Sequence, residues 1–171
     1  MPFIGEIFSQ LKVAADTTVF QEIRDGNVTG MTGAEFLELI SKARTFLASK
    51  GLKKGDRCGL LAANSIRWMA VDLAATAEGL IVVPLYFRQA PPELVAMMQD
   101  STPSLVCCGD AGLRDKLLHH LSLMQQRGSQ RDGALADIRI ALHAGVERSL
   151  LRHVSARDRA FGRTPRISPV L

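Results

Sequence analysis

Aromatic residues are scarce in this chain, at one Trp, one Tyr and seven Phe. Only Phe161 of them falls after residue 112, where most of the arginines lie, so that part lacks the aromatic interleaving with which single-stranded nucleic-acid binders line a basic groove. Long apolar runs are missing too. The longest charge-free apolar run lies near Gly79 to Phe87, far short of the roughly 20 residues a membrane-spanning helix needs. There are three cysteines, Cys58, Cys107 and Cys108, an odd number with two adjacent. With no CxxC pair and no Cys/His ligand spacing, they are expected to be reduced thiols of a cytosolic protein, with Cys58 and Cys107 as small buried hydrophobes. The N-terminus has no basic n-region, and Glu6 interrupts its first apolar stretch, so no signal peptide is expected. Without one, the sequon Asn27-Val28-Thr29 carries no implication for glycosylation.

What is present is the composition of a globular protein, 47% hydrophobic and 22% charged over 171 residues, enough for one domain with a real core. The net charge of +4 is unevenly spread. Residues 1–112 hold 10 Lys/Arg against 12 Asp/Glu, a net of −2, and residues 113–171 hold 11 against 5, a net of +6. Ten of those 11 are Arg, and all four histidines, His119, His120, His143 and His153, fall in the same part. The chain changes character near residue 112.

Local patterns predict an alternating fold. Residues 19–32 read as two short strands around Asp25-Gly26-Asn27, because Asp-Gly supplies the positive φ angles of a tight hairpin. Thr32 and Glu35 have the spacing of a capping box. Phe36, Ile40, Ala43 and Leu47 then give a helix over 33–50, ended by a left-handed Gly51. Arg57 to Ala62 is a short, nearly continuous apolar run, which suits a strand covered on both faces in a parallel sheet. Asn64 or Ser65 caps the next helix, built on Ile66, Met69, Leu73, Ala74 and Ala77 and closed by Gly79. Leu80 to Leu85 is a second strand, with Pro84 near its end. Pro91-Pro92 opens a further helix, and Leu105 to Cys108 is a third strand. Leu113, Leu117, Leu121 and Met124 mark a helix over 113–125, and Leu135, Ile138, Leu142, Val146 and Leu150 predict another over 134–153. Helix and strand in this alternation mean a parallel βαβαβ sheet.

The residues 51–86, GLKKGDRCGLLAANSIRWMAVDLAATAEGLIVVPLY, resemble the AMP-forming acyl-CoA synthetases of the adenylating ligase superfamily. The likeness rests on Gly55-Asp56-Arg57, on Asn64-Ser65 followed by Trp68, and on Gly79 with Val83-Pro84-Leu85-Tyr86, and extends over about 17–112. Its flavour is most like the long-chain fatty acid–CoA ligases. It implies the α/β fold of the family's N-terminal subdomain. For the intact family it also implies ATP, Mg2+ and CoA as cofactors, a carboxylate activated as acyl-AMP, and transfer of the acyl group to CoA. The family's Ser/Thr/Gly-rich phosphate loop ending in Pro-Lys-Gly has no counterpart in this chain, which contains no Gly-Lys dipeptide. Its Tyr-Gly-x-Thr-Glu and Thr-Gly-Asp segments and its C-terminal catalytic lysine have none either. No catalytic, cofactor-binding or metal residue carries over, and Trp68 reads as a packing residue.

The expected organisation is an N-terminal part of an adenylating domain over 1–112 and a basic, Arg/His-rich tail over 113–171, mostly helical or disordered. The tail's arginines suit phosphate, yet no nucleic-acid motif accompanies them. His119 and His120 are adjacent and point apart on a helix, so they do not make a metal pair. The Arg-over-Lys bias and lost aromatics also fit a divergent or out-of-register extension. The expected activity is that of a truncated ligase that is inactive alone, and the expected partner is the remainder of the ligase or another protein. The other reading is a non-catalytic binding module that docks through the basic tail.

Overall fold

The computed structural model describes residues 2–126 and 139–142. The chain opens with helix α1 (Pro2–Val13), whose Ile4 and Leu11 are buried, with Ile7 and Phe8 partly so, at helical spacing. A hairpin of β1 (Thr18–Arg24) and β2 (Asn27–Thr32) follows. Its turn places Asp25 at φ 50° and Gly26 at φ 76°, the left-handed pair that an Asp-Gly sequence makes accessible. Thr32 caps α2 (Gly33–Ser49) in a complete capping box, its hydroxyl accepting from the Glu35 N–H while the Glu35 carboxylate accepts from the Thr32 N–H at 2.8 Å. Gly33, the first residue of α2, packs against the C-terminal end of α1. A β-carbon there would collide with the carbonyl oxygens of Leu11 and Ala14.

The main sheet contains β3 (Arg57–Leu61), β4 (Ile81–Leu85), β5 (Leu105–Cys108) and β6 (Arg139–Leu142), all parallel, in the order β4-β3-β5-β6. The helices between them are α3 (Ile66–Ala77), α4 (Pro91–Ser101) and α5 (Ala111–Gln126). Side chains alternate across the sheet, so each strand feeds two cores. Cys58, Leu60, Leu105 and Cys107 face α1, α2 and α3, together with Phe36, Ile40, Leu47 and Val71. Leu61, Leu85, Val106 and Cys108 face α4 and α5, together with Leu94, Val95, Met98 and Leu117. A sheet covered on both faces explains why β3 and β5 are apolar at successive positions.

The fourth strand corrects one expectation. A helix is predicted over 134–153, but residues 139–142 pair with β5 as a strand, Ile140 opposite Val106 and Leu142 opposite Cys108. Ile140 packs into the second core. A run of four residues has no reliable period of its own, and the open edge of β5 decides its conformation. The rest of the predicted helix lies outside the described residues. So β6 and α5 extend the same layers past residue 112.

Pro84 sits where a proline is cheapest. The Ile81 N–H donates to the Asp56 carbonyl at 2.9 Å, so residues 81, 83 and 85 turn their backbone polar groups toward β3. Pro84 therefore points its missing donor outward, on a strand that pairs with β3 alone among the described residues.

Candidate functional site

The strand order sets the place of the site. The chain runs from β3 to β4, and then returns past β3 to β5. α3, which follows β3, belongs to the first core, and α4, which follows β4, belongs to the second. In this order the switch point, the place where open α/β sheets bind ligands, falls between β3 and β5, whose following helices α3 and α5 depart to opposite faces. A cleft of about 450 Å³ opens beside it, at the carboxyl ends of β3 and β4, lined by Ala62, Ala63 and Asn64 after β3, Trp68 on α3, and Pro84, Leu85, Tyr86 and Phe87 at the end of β4.

Each wall has a local cause. Ser65 turns the chain from β3 into α3 by accepting a hydrogen bond from the Trp68 N–H at 3.0 Å. That cap fixes the first turn of α3, and with it the indole. Trp68 is half-buried and touches the first core while its remaining surface forms one wall of the cleft. The packing role expected for it holds, and a second role accompanies it. Across the cleft, Tyr86 and Phe87 meet edge to face at 5.7 Å between centroids. Arg88 lies over the Phe87 ring at 5.4 Å, which places a cation beside the rim. Gly109, at the end of β5, packs against Ala62 and donates its N–H to the Leu61 carbonyl at 2.9 Å.

The lining is mostly apolar, and its polar side-chain groups are the Asn64 amide, the Trp68 indole N–H and the Tyr86 hydroxyl. It suits an apolar or flat group. It does not fit a triphosphate with a divalent cation, because no carboxylate and no lysine or arginine lines it. Among the described residues, no group of three or more His, Cys, Asp or Glu side chains is placed to hold a metal ion. None of their helices is long and apolar enough to cross a membrane.

The perturbed groups lie away from the cleft. All three cysteines are free and buried. A hydrogen bond between Cys58 and Cys107, on adjacent strands, lowers the Cys58 thiol and raises that of Cys107, which burial raises further. Burial pushes the Cys108 thiol up to about 12. On α3, burial raises the Asp72 carboxyl above its ordinary value. These thiols and this carboxyl are shaped by the core and do not converge on a reacting centre.

Compared with known proteins, residues 8–158 match the family described as AMP-binding enzyme. The chain belongs to that family. The match runs through residue 112 and includes β6, so the change in composition falls inside the family's range. The long-chain-fatty-acid–CoA ligase FadD15 of Mycobacterium tuberculosis is 30% identical over 95 residues, 56% of this chain and 16% of the ligase. The mitochondrial medium-chain acyl-CoA ligase ACSF2 of Bos taurus is 42% identical over 53 residues, 31% of this chain and 9% of the ligase. Among solved structures, the N-terminal domain of FACL13 from Mycobacterium tuberculosis superposes with a TM-score of 0.67 at 21% identity, over 98% of this chain and 37% of that one. A fatty acyl CoA synthetase of the same organism gives 0.63 at 24% identity, over 87% and 28%. The α/β sheet is thus that of the N-terminal part of an AMP-forming acyl-CoA synthetase, and the chain spans about a sixth of the first of these curated relatives.

Proposed function

We propose that this AMP-binding family chain builds the first part of a carboxylate-activating, AMP-forming acid–thiol ligase, and that it completes neither half-reaction by itself. In the intact ligase a carboxylate displaces pyrophosphate from ATP to give acyl-AMP, and the CoA thiol then displaces AMP to give the acyl thioester. The observation that carries this reading is the cleft at the ends of β3 and β4. Asn64, Trp68, Pro84, Leu85 and Tyr86 of its lining are among the residues that carry the resemblance to the ligases. Named relatives with long-chain and medium-chain acyl substrates support an apolar carboxylate as the substrate class.

Inactivity of the chain alone is supported by its residues. A triphosphate needs backbone N–H groups that approach closely through glycines and a cation to balance its charge. The sequence has no Ser/Thr/Gly-rich loop followed by lysine, and the cleft lining is uncharged. The test is carboxylate-dependent exchange of labelled pyrophosphate into ATP, using the purified chain with fatty acids of several lengths and magnesium. No exchange above the carboxylate-free control is expected. Exchange that rises with carboxylate concentration overturns the proposal of inactivity.

A further inference from the structure

We draw no further inference here: the strongest candidate, the aromatic-rimmed cleft at the carboxyl ends of β3 and β4, belongs to the site already described, and nothing in the structure shows what covers its apolar walls.

Discussion

Gly109 and Ala62 touch where β5 and β3 end, so closely that a β-carbon on residue 109 would lie 2.6 Å from the Ala62 β-carbon. Ala62 also lines the cleft, and the contact makes two residues that follow separate strands mutually dependent. Gly109→Ala is expected to destabilise the fold by about 1–3 kcal/mol, the usual cost of forcing a methyl into a filled space. Ala62→Gly in the same chain removes the opposing methyl and is expected to restore a large part of that loss. Urea denaturation of the two single variants and the double variant measures the coupling. Additive effects would show that residue 109 is constrained by something other than Ala62.

Ser65 holds the first turn of α3, and the sole tryptophan reports on it. Ser65→Ala is expected to cost about 1 kcal/mol, and Ser65→Asp to retain most of the stability. Because Trp68 is half in the core and half in the cleft, its emission follows both the cap and the crevice. Fluorescence-monitored denaturation gives both quantities together. An alanine variant as stable as the parent would rule out the cap as the support of that turn.

The buried thiols set a limit on reactivity. A thiol raised to about 12, as Cys108 is, stays protonated at about pH 8, and Cys107 is raised as well. Cys58 is lowered by its hydrogen bond with Cys107, yet it is fully buried. Iodoacetamide is therefore expected to leave all three unmodified in the native protein and to label all three in guanidinium, as counted by intact mass. Rapid native labelling of any one would contradict the packing of β3 and β5.

Asp72 gives stability a pH dependence of definite sign. Its folded pKa is raised by burial, so the folded state holds the proton more tightly than the unfolded chain does. The contribution is fully present below the ordinary carboxylate value and is lost as the pH rises through the raised one. Asp72→Asn should thus be more stable than the parent near pH 7, and the difference should shrink toward about pH 3. Urea midpoints of both proteins at the two pH values check this. A variant that is less stable at neutral pH would mean that the carboxylate has a favourable partner.

Much of the fold is legible in the residues because local chemistry decides it. Asp25-Gly26, Thr32 with Glu35, Gly51, Ser65 and Pro91-Pro92 each specify a turn, cap or start without help from distant contacts. β6 is not legible in this way. Arg139 to Leu142 becomes a strand because β5 offers it unpaired backbone groups, a fact of the assembled sheet. The cleft is hidden for a related reason. Trp68 lies on α3 while Tyr86 and Phe87 follow β4, and only the parallel pairing of β3 with β4 brings them to one crevice. The signal available in the sequence was the apolar run after each strand, which reads equally well as core.

The outward-facing Pro84 has a consequence for how molecules of this protein meet one another. A strand from a second molecule laid along β4 finds one backbone donor, that of Val82, before the proline interrupts the row. Domain swapping and seeded cross-β growth both depend on an unbroken row of donors and acceptors. β4 carries no charge and exposes Ile81 at 51%, so without the proline it would be an inviting template. One missing hydrogen atom makes that margin of the sheet a poor surface to copy.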